Sequence, residues 1–218
     1  DIAHQVKNPL GVLLGRLEIL QDRIPIESPD RAHVDIAMSA GSRLRELTQN
    51  FTSLGSQKPI QLNLPDLLNE AYGIAGLHSQ KLVDCRWEYP DSLPKVLGNP
   101  VLLREALTNV FSNAMDAVRE DGVVTASASQ VNGHVMARIS DNGSGIAKEI
   151  MGSLFEPFRS TKTTGLGLGL FAAKHIVEMH HGRLTVETEE GQGTSVTIML
   201  PAHRPGHRDA EAALTITG

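Results

Sequence analysis

The chain has 218 residues and is 40% apolar, enough for one large or two modest domains with a core of their own. Its net charge is −5 with no long basic run, which weighs against a nucleic-acid-binding surface. Its single cysteine, Cys85, excludes an internal disulfide and fits a reducing compartment. Cys85 reads as a small buried apolar side chain. No apolar run approaches the ~20 residues of a membrane span, and no signal peptide is recognisable.

Residues 1–24 place Ile2, Val6, Leu10, Leu13, Leu17 and Leu20 at steps of three and four, which predicts a helix with one apolar stripe. Two prolines in IPIESPD end it. Val34, Ala37, Gly41, Leu44, Leu47, Phe51 and Leu54 then repeat the rhythm in a second helix. Two amphipathic helices joined by a short turn make an antiparallel hairpin. A hairpin alone cannot cover both stripes, and pairing with a second copy into a four-helix bundle would do so. His4 lies about 200° around the helix from Ile2 and Val6, on the face away from the stripe, and Asn8 follows one turn later. Pro9 has no N–H and crowds the carbonyl of Gln5, so a kink is expected there. An outward histidine beside a kink can act as a nucleophile; the alternative is an ordinary surface histidine.

Residues 55–65 read as a polar connector. Asn63 and Pro65 then start a helix over 66–77. Short strands are expected at 84–89 and 95–98, followed by a strong helix over 101–120. Glu105, Asn109 and Asn113 recur every four residues and share one face of it. Polar side chains in an otherwise apolar helix need partners. A magnesium–phosphate ligand would supply them, and so would neighbouring backbone. Strands at 123–130 and 134–140 flank Val131-Asn132-Gly133, a hairpin turn signal.

Asp141-x-Gly143-x-Gly145 ends that hairpin, and Gly165-Leu166-Gly167-Leu168-Gly169 opens a helix over 170–181. Glycines let backbone approach a ligand closely, and a helix N-terminus favours an anion. The run over 165–169 therefore suggests a phosphate seat, and Asp141 could accept from an amine such as the N6 of adenine. The alternative is two turns that need glycine only for their geometry. Gly182 is the expected stop of the last helix. Strands at 183–189 and 194–200 then pair around EGQG. The order implies an α+β fold: a helical hairpin, then a mixed sheet layered by helices on one face.

Taken together, these residues resemble the catalytic portion of a sensor histidine kinase, up to about Pro201. His4-Gln5-Val6-Lys7-Asn8-Pro9-Leu10 resembles the family's H box, and Asn109-Val-Phe-Ser-Asn113-Ala its N box. Asp141-Asn-Gly143-Ser-Gly145 resembles its first glycine box, and Phe155-Glu-Pro-Phe158 its F box. The runs over 165–169 and 191–194 resemble the second and third glycine boxes. "NAMDA" with "KNPL" is nearest the nitrogen-regulation and dicarboxylate-sensing branch.

The resemblance implies a dimerisation and phosphotransfer hairpin at 1–58 and a Bergerat-type ATP-binding domain at 59–201; the polar stretch after Pro201 reads as a mobile tail, 202–218. It implies ATP and Mg2+, with Asp141 reading adenine and Asn113, more directly than Asn109, on the metal and phosphates. Asp116, Gly143, Gly145, Ile146, Phe158, Thr161, Gly165, Leu166, Gly167, Leu168, Gly169 and Thr194 complete the implied nucleotide set. Residues 155–164 would form a lid, with Lys162 on the γ-phosphate. It further implies a homodimer, a response-regulator partner, and a cytoplasmic location or the cytoplasmic portion of a membrane-bound sensor.

One position departs from the family pattern. The residue after the phosphoacceptor is usually acidic and is Gln5 here, which cannot act as a base near neutral pH. A weakened kinase, or a protein biased towards dephosphorylating its regulator with the help of Asn8, is therefore a second expectation. A plain ATPase of the same fold would carry a glutamate at position 109, and the residue there is asparagine. His207-Arg208-Asp209 imitates a protein-kinase loop by chance, since Leu214 stands where that loop needs asparagine. His203 and His207 are a weak metal pair. His175, His180 and His181 are expected at the surface end of their helix.

Overall fold

The computed structural model describes residues 2–53, 58–79, 81, 83–119, 121–157 and 167–203, without the side chains of residues 2–9, 43, 44, 46–53 and 78. The chain divides into two compact units, residues 1–58 with 148–172, and residues 59–147 with 173–218.

The first unit holds α1, Ile2–Arg23, and α2, Pro29–Ser53. Arg31 closes the turn between them by donating to the carbonyls of Gln21 and Ile24, the latter at 3.0 Å. Gln21 Nε2 also donates to Asp35 at 2.6 Å. The seam centres on Leu14, which is 3% exposed and lies against Gly41. A Cβ on Gly41 would sit 2.5 Å from the Leu14 side chain, so glycine allows the two helices to close. The expected stripe omitted Leu14 and counted Leu13 and Leu20, which are instead 52% and 48% exposed. Two helices bury only a narrow strip of each other; the wider apolar face, with Val12 and Ile19, stays open. This unit also carries α5, Lys148–Met151, which is too short to show a period in sequence.

The second unit is built on a five-stranded sheet with β2 (Asp84–Glu88), β4 (Val123–Val131), β5 (His134–Asp141), β7 (Gly193–Pro201) and β6 (Arg183–Glu189) in that spatial order. β2 runs parallel to β4, and all other neighbours are antiparallel. The mixed sheet of the α+β expectation is therefore present. Val124, Ala126 and Ala128 alternate with exposed or half-buried residues, as do Val135, Ala137 and Ile139, and Val196, Ile198 and Leu200. This period of two buries one face and leaves the other wet. The buried face meets α3 (Leu64–His78) and α4 (Pro100–Ala117). Phe111 of α4 is fully buried and packs edge-on against Tyr72 of α3. The outer face is polar, with a Ser140–Ser195 hydrogen bond and an Arg138–Glu187 ion pair, both at 2.8 Å.

Asn132 and Gly133 turn between β4 and β5 at φ 48° and 78°, the left-handed pair that a two-residue hairpin needs. Three expectations need correction. The supposed connector at 55–65 contains β1, Ile60–Leu62, paired antiparallel with β3, Val96–Gly98, in a small separate sheet. The left-handed residue after α6 (Gly169–Met179) is His181 at φ 57°, not Gly182. His181 and Gly182 donate to the carbonyls of Glu178 and Val177, both at 2.9 Å, which completes a Schellman cap. Gly182 is required for a different reason: a Cβ there would lie 2.5 Å from the Met199 carbonyl. Finally, the tail does not begin free at 202. Ala202 bridges Val96, and the His203 N–H donates to the Lys95 carbonyl at 2.7 Å. His207 and the rest of the tail lie outside the described residues.

Candidate functional site

Asp141 ends β5 on the helix-covered side of the sheet. The strand registers place Val124, Asp141, Thr194 and Thr188 in one row across β4, β5, β7 and β6. Asp141 Oδ1 accepts the Gly143 N–H at 2.9 Å, which fixes one edge of the carboxylate. The Gly143–Gly145 turn is clamped from both sides. The Ser144 N–H donates to the Ala117 carbonyl at the end of α4 (3.3 Å), and the Ser144 carbonyl accepts from Gly191 (2.7 Å). A Cβ on Gly143 would come within 2.5 Å of the Ala117 carbonyl oxygen. On Gly145, at φ +68°, it would come within 2.1 Å of the Glu189 carbonyl. On Gly193, at φ +110°, it would come within 2.0 Å of the Asp141 carbonyl. These glycines let backbone lie on backbone. Their close backbone contacts hold Asp141 in place.

Thr188 ties the row together. Its Oγ1 accepts the Ile146 N–H at 2.9 Å, donates to the Gly193 carbonyl at 2.9 Å, and lies 3.1 Å from Thr194 Oγ1. Nothing in the sequence marks it: a threonine in a strand reads as an ordinary β-former.

α4 supplies the second wall. Asn99 caps it, its Oδ1 accepting from the N–H groups of Val101 (2.9 Å) and Leu102 (3.3 Å), with Pro100 in the first turn. Along one face, Glu105 is half-buried, Asn109 is 6% exposed and Asn113 is half-buried; Asp116 is exposed on the last turn. Amide and carboxylate oxygens are hard donors of the kind that suit a small divalent cation beside phosphate. Among the described residues no cluster of three or more His, Cys, Asp or Glu could hold a metal alone.

His180 was expected at the surface end of its helix. It does lie just past α6, but its ring turns inward, with Nδ1–H donating to the Ile176 carbonyl at 2.7 Å and Nε2 accepting the Asn99 N–H at 3.0 Å. Burial pushes its pKa down. His175 and His181 are exposed. Cys85, expected to be buried, is half-buried, and that burial pushes its thiol up to about 12.

The second glycine run is described from Gly167 onward. Gly167 is at φ +65°, Leu168 is 2% exposed, and α6 opens at Gly169. Phe158, Thr161, Lys162, Gly165 and Leu166 lie outside the described residues. His4, Gln5 and Asn8 lie on α1, with side chains outside the description.

Residues 98–204 match the histidine kinase-, DNA gyrase B- and HSP90-like ATPase family. Residues 1–58 match the His Kinase A phospho-acceptor domain, which selects one branch of that wide ATPase group. The chain belongs to the sensor histidine kinases. It is 33% identical to the sensory histidine kinase/phosphatase NtrB of Vibrio alginolyticus, over 93% of this chain and 61% of that protein. It is 28% identical to the sensor histidine kinase ZraS of Escherichia coli (strain K12), over 93% of this chain and 44% of that protein. The kinase core thus spans about half the length of the curated relatives it matches. The solved structure of full-length ShkA in complex with AMPPNP superposes with a TM-score of 0.63 at 25% identity, covering 94% of this chain and 46% of that one. The kinase core therefore carries the family's ATP-binding domain behind its phospho-acceptor hairpin. No helix among the described residues is long and apolar enough to cross a membrane.

Proposed function

We propose that this histidine kinase core transfers the γ-phosphoryl group of ATP to an imidazole nitrogen of His4. It then passes that group to an aspartate of a response regulator docked on the hairpin. The supporting observation is the Asp141 row: a carboxylate held by the clamped Gly143–Gly145 turn, directly against the end of the asparagine-bearing helix α4. A carboxylate at that place accepts an exocyclic amine, and Asn109 and Asn113 lie on the helix beside it.

In this reading Asp141 and Thr194 orient the base, and Asn113 and Asn109 face the phosphates. The residue types fit Mg2+, since both offer amide oxygens; the ion would be held by Asn113 and Asn109 and would neutralise phosphate charge. Lys162 would meet the γ-phosphate, and residues 165–169 would present backbone N–H groups to the others. Phosphoryl transfer needs in-line placement and charge neutralisation more than covalent help. His4 gains a P–N bond as the bond to the β-phosphate oxygen breaks, and its ring proton leaves to solvent because Gln5 cannot take it. The open apolar face of α1, with Val12, Leu13 and Ile19, would be covered by a second copy in a four-helix dimer.

Incubation with γ-labelled ATP and magnesium tests the proposal. Acid-labile label on the wild type and none on His4→Ala is the expected result. Free phosphate without protein label would show an ATPase, and neither product would leave only a scaffold. Gln5 favours a second activity, removal of phosphate from the phosphorylated regulator, as the name of the NtrB relative records for that protein. That activity is expected to fall when Asn8 is changed to Ala, measured as phosphate released from a labelled receiver domain.

A further inference from the structure

We propose that Thr188 is a positioning residue that sets the hydrogen-bond polarity of the base-reading end of the site, and through it the preference for a 6-amino purine. This rests on the reading that a nucleotide base lies against Asp141, and deepens it.

Thr188 Oγ1 is within hydrogen-bond distance of three groups: Ile146 N at 2.9 Å, Gly193 O at 2.9 Å and Thr194 Oγ1 at 3.1 Å. A hydroxyl has one proton and two lone pairs. The Ile146 N–H can only donate, and the Gly193 carbonyl can only accept. The Thr188 proton is therefore directed to Gly193, and both its lone pairs receive protons. One comes from Ile146, and the other must come from Thr194. The Thr194 proton is thus used inside the protein, and its hydroxyl offers only lone pairs elsewhere.

Thr194 is the direct cross-strand partner of Asp141. An ionised carboxylate is acceptor-only as well. Two neighbouring groups of one polarity suit an amino group, which brings two N–H donors. They oppose a keto oxygen, which brings none. Without the Thr188 hydroxyl, the Thr194 rotor can turn its proton outward and become a donor, and the contrast weakens. The same hydroxyl anchors Ile146, so it holds the residue after the Gly143–Gly145 turn as well.

Equilibrium binding of ATP, GTP and purine riboside triphosphate, which lacks the 6-amino group, tests this on the chain as it stands. The proteins are wild type, Thr188→Val and Thr188→Ser. Wild type should favour ATP over both others. Thr188→Val should narrow the gap between ATP and purine riboside triphosphate by at least about threefold, as expected for losing an ordered hydrogen bond. Thr188→Ser, which keeps the hydroxyl, should restore it. Should Thr188→Val fail to melt cooperatively, Thr188→Ala is read in its place. An unchanged ratio in a folded Thr188→Val or Thr188→Ala overturns the proposal while leaving ATP binding intact. So does a serine variant that behaves like valine. A wild type that binds none of the three overturns the underlying base-site reading, and the Thr188 role with it.

Discussion

Nε2 of His180 accepts the backbone N–H of Asn99 at 3.0 Å, so the residue that follows α6 holds the residue that begins α4. The ring's other nitrogen donates to the Ile176 carbonyl, which leaves Nε2 as the acceptor only while the imidazole is neutral. Gly98 makes room for it, since a Cβ there would lie 2.7 Å from the ring.

Stability should therefore fall on mild acidification. Burial lowers the His180 pKa in the fold, the Ile176 bond opposes this, and His181 adds to the lowering. The unfolded chain, with histidine near about 6.5, then binds more protons than the native one below that pH. The contribution is complete above the unfolded pKa and is lost as pH falls towards the folded one. Melting curves between about pH 7.5 and 5.5 should show the drop, and His180→Gln should flatten it. A variant with the full wild-type slope would assign the effect to other groups. Removing the ring with His180→Ala should cost about 1–3 kcal/mol at neutral pH, because the Asn99 N–H loses its acceptor.

Two glycines at positive φ should respond differently to alanine. Gly145 is at φ +68°, and its added Cβ would strike the Glu189 carbonyl; Gly191 is at φ +80° with open space around it. Gly191→Ala carries only the left-handed backbone strain, about 1–2 kcal/mol. Gly145→Ala adds a backbone clash and should exceed it clearly, with loss of nucleotide binding as the turn shifts. Denaturant midpoints and ATP titration of both variants check the order.

Asp141→Asn should weaken ATP binding by about ten- to a hundredfold, the usual range for a hydrogen bond to a charged acceptor. The Gly143 N–H can still find the asparagine carbonyl oxygen, so the fold should hold. Calorimetry alongside thermal melting separates the two effects. Equal affinity in the variant would move the base away from β5.

Gln5→Glu should label His4 faster, since a positioned general base is worth about 10²–10⁴-fold where proton removal limits the rate. Initial rates of acid-labile incorporation at saturating ATP measure it. Equal rates would mean that solvent removes the proton without cost.

The sequence displayed the features that depend on local order. Helical rhythm marked α1, α2 and α4; Asn132-Gly133 marked its hairpin; and Asp141 stood at the end of an alternating strand. What stayed hidden depends on distant pairing. β1 has only three residues and exists because β3 pairs with it across 60–98. His180 finds its partner 81 residues away, and no spacing rule reaches that far. Thr188 gains its role only once the β6–β7 register puts it opposite Thr194. Leu14 is the instructive miss in the hairpin. Periodicity found an apolar surface wider than one seam, and the choice of which leucine to bury depended on where Gly41 lay on the facing helix.

The row from Asp141 to Thr188 has a consequence for how such a protein can change. Because side chains alternate, slipping β7 by one residue against β5 would carry Thr194 to the wet side, and with it the apolar residues further along that strand, Val196, Ile198 and Leu200. Ligand choice cannot drift by sliding strands without turning the molecule inside out. Only replacement at these fixed addresses can retune it, so resistance to a purine-mimicking inhibitor would arise by exchange of single side chains.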